Sequence, residues 1–220
     1  MKERIHRIES LLSTLQVENP DLAPVRVVHK RKLSGSFWGQ AWNHNLTTYP
    51  DCDFRLEQGR SHLRAGGIVN LRVEHTVVHA TVWDLRLYEV RAQFAPLPTE
   101  TWEQFLAVEG HSLPSLVPLL QGKVSDQMLA RIVDPNEGLF PSRGDLRYTC
   151  TCTDDASLCG HIAAVLYGIG VRFDEEPQLF FQLRGIPLEA WLQNAGDALQ
   201  QEAGPADQED LESLFDIELL

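Results

Sequence analysis

Three of the chain's four cysteines, Cys150, Cys152 and Cys159, lie in the stretch YTCTCTDDASLCGHIAAVLYGIG, and His161 stands two places after the last of them. No other stretch constrains the fold as tightly. LRYTCTC is rich in β-forming residues, whereas HIAAVLYGIG is rich in helix formers and apolar residues. The pattern predicts Cys150 and Cys152 on a strand and Cys159 to His161 at a helix start. Residues two apart on a strand share a face, with Cα atoms roughly 6.6 Å apart at about 3.3 Å per residue. The intervening Thr153 to Leu158 include Asp154, Asp155 and Ser157, residues suited to turns and caps that bring the chain back. Three thiols and an imidazole then face one point. That donor set matches tetrahedral zinc, and a helix N-terminus at Cys159 favours the thiolate that metal binding needs.

Other readings of the cysteines fit less well. A Cys150–Cys152 disulfide closes a strained ring, since an extended strand sits at the upper edge of the permitted Cα separation. A redox pair is normally Cys-x-x-Cys, which is absent. Cys52, in YPDCDF, reads as an ordinary free thiol. The start, MKERIHRIESLLSTLQ, lacks the apolar run and small-residue cleavage site of a secretory signal, so the expected location is cytoplasmic, where thiols stay reduced. No apolar run approaches the roughly 18–20 residues of a membrane span, and no membrane partner is expected.

The rest of the chain reads as α+β. Ile5, Ile8, Leu12 and Leu15 recur at helical spacing before Pro20 and Pro24 end the pattern. Trp38 and Trp42 share a helix face and suit a core. From Gly66 to Phe94 the alternation predicts a β-meander, with turns at Glu74–Thr76 and Asp84–Arg86. In its third strand Leu87, Glu89, Arg91 and Gln93 oppose Tyr88, Val90, Ala92 and Phe94. His75 and His79 are expected on different strands, with no metal role. Thr99 is expected to cap ETWEQFLAV, SLPSLVPLL and SDQMLARIV suggest short helices, and DPNEGLFPSRGD a loop. The predicted organisation is an N-terminal helix and linker over 1–34 and an α+β domain over 35–133. A strand-loop-helix zinc finger with following helices then covers 134–190, and an acidic tail 191–220.

The net charge of −12 is unevenly placed, because nine acids and no Lys or Arg occur from Gly185 onward. Removing those nine leaves 22 acids against 19 basic residues, so the body is nearly neutral. Overall charge therefore neither requires nor excludes a nucleic-acid surface. Candidate phosphate contacts are Lys30, Arg31 and Lys32 in RVVHKRK, and Arg55, Arg60 and Arg64, with His62, in RLEQGRSHLRAGG. Gly59, Gly66 and Gly67 there permit close backbone approach to a ligand. The same charges suit a solvated strand edge equally well. In the tail, Leu211, Leu214, Phe215 and Leu219 lie at spacings that fit one helix face in an acidic frame, as in a tethered docking peptide.

Cys-x-Cys, a short gap and Cys-x-His before an apolar helix resemble the SWIM zinc finger. CGHIAAVLYGIGVRFDEEPQLFFQLRG, FWGQAW, RLEQGRSHLRAGGIVNL and LFPSRGDLRYTCTC are likewise similar to bacterial SWIM-containing proteins, over roughly residues 35 to 190. The resemblance implies one structural zinc held by Cys150, Cys152, Cys159 and His161. It also implies a DNA-binding or protein-contact module of the kind found beside Swi/Snf-type helicase-like ATPases. Many relatives carry a basic residue between the last Cys and His, where this chain has Gly160. With Asp154 and Asp155 in the loop, that departure points away from the finger itself as the phosphate contact. No enzyme is expected: four protein ligands leave no open zinc position, and no P-loop, dinucleotide fingerprint or Gly-x-Ser-x-Gly elbow occurs. A nucleic-acid accessory (DNA or RNA) and a protein adaptor working through the tail both remain open.

Overall fold

A computed structural model describes residues 2–50, 52–109, 116–154, 156 and 158–186. Leu211, Leu214, Phe215 and Leu219 lie outside them. The chain is α+β, with a four-stranded antiparallel sheet in the order β1-β2-β3-β4 and helices packed on it. The strands are β1 (Ile68–Glu74), β2 (Val77–Trp83), β3 (Leu87–Phe94) and β4 (Leu146–Cys150). The first three form the expected meander. On β3 Val90, Ala92 and Phe94 are buried while Leu87, Glu89, Arg91 and Gln93 are exposed, as the alternation requires.

β1 departs from simple alternation. An irregularity between Ile68 and Asn70 shifts its register against β2, so Ile68 and Leu71 both enter the main core. Val69 goes to the opposite side, joining Ile8, Leu12 and Ala65 in a smaller cluster. A bulge gives a strand this freedom to serve two faces. The amphipathic N-terminal helix α1 (Lys2–Glu18) is thereby docked on the back of the sheet. His75 occupies the β1–β2 turn with φ 53 rather than a strand, and only His79 lies on β2.

Helices α2 (Phe37–Thr47), α3 (Asp53–Arg64) and α7 (Gly160–Arg172) build the opposite layer. The others are α4 (Thr99–Glu109), α5 (Leu116–Leu120), α6 (Asp126–Ile132) and α8 (Gln178–Leu183). Thr99 is the first helical residue of α4 rather than its cap. Ser125 caps α6, its hydroxyl accepting from the Met128 N–H at 3.2 Å.

α7 is apolar all round, and every residue from Ile162 to Val171 is buried. A helix of that kind must be covered on all sides. Small residues let neighbours come close. A Cβ on Gly59 would stand 2.6 Å from the Ala163 carbonyl carbon, and one on Gly39 would stand 2.4 Å from the Gly170 oxygen. Gly59 thus serves packing of α3 on α7, not approach to a ligand. Gly66 and Gly67 close the α3–β1 turn, the Gly67 N–H donating to the His62 carbonyl at 3.0 Å.

The motifs around this layer are mostly clamps. Trp42 Nε1–H donates to the Leu166 carbonyl at 2.7 Å, and Trp38 Nε1–H donates to the Leu119 carbonyl at 3.0 Å. Asp174, in FDEEPQLFFQLRG, accepts from the Gly35 and Ser36 N–H groups at 2.6 and 2.9 Å, just before α2. Arg184, in the same segment, is buried and donates to the Leu139 and Ala95 carbonyls at 3.0 and 2.7 Å.

Gly59→Ala is expected to lower unfolding stability by about 1–3 kcal/mol, the cost of overpacking a tight contact. Gly144→Ala, whose added carbon meets only Ser142 Oγ at 3.5 Å, is expected to stay within about 0.5 kcal/mol of wild type. Denaturant melts of the two variants check the difference.

Candidate metal centre

Strand β4 ends at Cys150, and Cys152 follows in the bend beyond it. Only the first of the pair is therefore on the strand. Cys159 is the N-cap of α7, its sulfur accepting from the Ile162 N–H at 3.5 Å. His161 is the second residue of the helix. One ligand atom from each of Cys150, Cys152, Cys159 and His161 lies within 4.8 Å of the others. Cys159 is buried, and the other three are partly covered.

The electrostatics suit a metal. A hydrogen bond from the Cys150 thiol, helped by His161 and the Ile162 N–H, holds Cys159 far below the ordinary thiol range, to about 3. Cys150 is pushed far up by the same bond and by burial. One thiolate is thus favoured before any cation arrives, and Cys150 holds a proton that a cation would displace. Three thiol sulfurs and an imidazole, converging with one sulfur already anionic, fit a thiophilic divalent cation.

A group of residues that nothing in the sequence ties to the cysteines stands behind His161. Its Nδ1 lies 3.8 Å from Cys150 Sγ, while its Nε2 lies 3.7 Å from Asp84 Oδ2. The ring is stacked on Tyr88, with centroids 4.3 Å apart and planes 20° from parallel. Asp84 sits in the β2–β3 turn and accepts from Arg4 of α1 at 2.8 Å. Arg4 also reaches His62 Nδ1, and burial and that cation hold the His62 pKa below its usual value. His62, Asp84 and His161 also gather closely enough to suggest a second cation. Arg4 already occupies that position, so the trio acts as a brace for His161. Metal-bound histidines usually direct the second ring nitrogen to a carboxylate in this way. That requirement was the available sequence signal, but nothing local marks Asp84 as the partner.

The basic candidates separate into two places. Arg55 forms an ion pair with Asp154 of the cysteine loop at 2.8 Å, which neutralises that acid. Arg31, Lys32, Arg60 and Arg64 line one open cavity of about 370 Å³, where the loop before α2 meets α2, α3 and α7. Lys30 is exposed, and its carbonyl accepts from Arg64 at 3.4 Å. Gly160 is buried against α3, where a Cβ would meet Gln58 Cβ at 3.2 Å. A larger side chain there requires Gln58 to give way by a few tenths of an ångström.

No family model matches the chain, and no solved structure matches it. It is similar to a Mycobacterium tuberculosis protein described as uncharacterized protein Rv2102, at 29% identity over 155 residues. The match covers 69% of this chain and 56% of the relative, so the chain spans little more than half that protein's length. Among the described residues no helix is long and apolar enough to cross a membrane.

Asp84→Asn is expected to weaken divalent-metal retention about 10–100-fold, the usual consequence of losing a histidine's outer partner. Competition against a chelating dye measures this. Unchanged retention would restrict Asp84 to its ion pair with Arg4.

Proposed function

We propose that the chain is a non-catalytic, zinc-stabilised binding protein of the SWIM type that associates with nucleic acid. The observation that carries this reading is the four-donor cluster at the β4–α7 junction. Three sulfurs and one nitrogen complete a tetrahedron without the open position that catalytic zinc keeps. When bound, zinc would neutralise the thiolates and pin the end of β4 to the start of α7. This supports a structural role, with Cys150, Cys152, Cys159 and His161 as ligands.

Nucleic-acid contact is supported by the gathering of Arg31, Lys32, Arg60 and Arg64 around one cavity, away from the acids of the cysteine loop. Phosphate affinity comes from such clustered cations and the counterions they release. The charge of Arg55 is offset by its pair with Asp154, and Lys30 adds at most an outlying charge to the cavity's basic group. The SWIM resemblance supplies the partner class, a Swi/Snf-type helicase-like ATPase working in the cytoplasm. The adaptor alternative rests on the acidic tail, and deletion of residues 205–220 tests it through pull-down of that ATPase.

Metal analysis and salt-titrated DNA and RNA binding test the main reading together. Wild type is expected to carry one zinc, and Cys159→Ser to lose it along with local structure, because such binding energy is folding energy. Binding should fall steeply with salt. Arg60→Ala with Arg64→Ala should flatten the log–log slope by about 1.4–1.8, from roughly 0.7–0.9 per phosphate contact. A folded wild type without metal, or salt-independent binding, overturns the proposal.

A further inference from the structure

The cavity beside α7 has features that a merely solvated basic patch lacks. Among the described residues, five buried side-chain polar atoms have no hydrogen-bond partner, and three belong to residues lining this cavity: Tyr167 Oη, Asn43 Oδ1 and Arg60 Nε. Native proteins seldom leave buried polar groups unpaired, and each such group calls for a water, ion or ligand. Tyr167 is 1% exposed and comes from the middle of the most buried helix. Phenylalanine would fill the same space without an unpaired hydroxyl. Burial holds the phenol above its usual pKa, so it is a neutral donor.

The unpaired atoms are of two kinds. Tyr167 and Arg60 offer donors, with the Arg60 guanidinium 5.6 Å from the Tyr167 ring centre. Asn43 donates through its amide to the buried Ser34 hydroxyl at 3.0 Å, which leaves Oδ1 as an acceptor. Arg31, Lys32 and Arg64 add positive charge around the opening. Two acids stand near: Glu57, largely solvated and 3.4 Å from Arg60, and Asp53, which with Glu57 adds to the upward push on the Tyr167 phenol. A complementary ligand carries an anion for the donors and a hydroxyl or amine for Asn43. A volume of about 370 Å³ lies at the lower end of small-molecule sites.

We propose that this cavity is a nucleotide-binding site, in which Arg60, Arg64 and the Tyr167 hydroxyl hold a phosphate and Asn43 accepts from the sugar or base. It deepens the nucleic-acid reading if the nucleotide belongs to a strand, and is independent of that reading if the nucleotide is free.

Binding of adenosine monophosphate and of a short single-stranded oligonucleotide to the full, metal-loaded chain separates these sources. Tyr167→Phe removes one oxygen and should leave the melting temperature unchanged or higher. Arg64→Gln alters an exposed side chain. Both variants are expected to weaken the bound ligand about tenfold or more, the scale of a hydrogen bond to a charged group. That loss on the oligonucleotide places a strand nucleotide in the cavity. The same loss on the mononucleotide, with no oligonucleotide binding, keeps the site and removes the nucleic-acid reading. Oligonucleotide binding untouched by Tyr167→Phe overturns the site and spares the nucleic-acid reading. Failure of both probes to bind overturns the site as well, leaving a cavity filled by water.

Discussion

The packing of α3 against α7 governs most of this structure. α7 is too apolar to face water anywhere, so its burial requires the sheet on one side and α2 and α3 on the others. Gly59 and Ala163 bring the α3 and α7 backbones together, and Gly39 and Gly170 do the same for α2 and α7. Close helix approach increases dispersion contact, but it allows no extra methyl group. Gly160 is a milder case, with 3.2 Å to the Gln58 side chain. Its place between Cys159 and His161 reflects the proximity of α3, with Gln58 and His62 directly opposite.

The cysteine and histidine cluster sits at the open end of this packing. β4 is held to β3 by strand pairing, with Cys150 opposite Val90. α7 begins only ten residues after that cysteine, across a loop whose described residues form no regular element. Four donors converging there can join sheet and helix beside the core contacts of Leu158 and Ile162. The Arg4–Asp84–His161 chain extends the connection through the β2–β3 turn to α1. The N-terminal helix is thus anchored twice, by the cluster of Ile8, Leu12, Ala65 and Val69 and by Arg4.

Legibility in the sequence followed the range of the interactions. β3 was readable residue by residue because its burial alternates with a period of two. The cysteine and histidine cluster was readable because local strand, loop and helix signals place it. By contrast, nothing local in RLEQGRSHLRAGG marks the helix α3 that most of it forms. Gly59 weakens helix propensity at its centre, and most of its other residues are charged or polar. Its helicity depends on α7, more than ninety residues away, a tertiary effect that overrides local preference. Asp84 and Asn43 were invisible for the same reason, since each acquires a role only through a distant partner.

One pair of helices therefore serves both candidate centres. α3 carries His62 and Arg55 beside the cysteine loop, and Arg60 and Arg64 beside the cavity. α7 carries His161 at its start and Tyr167 six residues later, roughly 9 Å along the axis at about 1.5 Å per residue. A change that loosens the start of α7 displaces the wall of the cavity, because close-packed helices transmit small shifts rather than absorbing them. Metal dependence of ligand binding would then be conformational and need no contact between metal and ligand. The pair between Arg55 and Asp154 agrees with that division, since it cancels the charge of Arg55 at the cysteine end and leaves Arg31, Lys32, Arg60 and Arg64 as the basic group at the cavity.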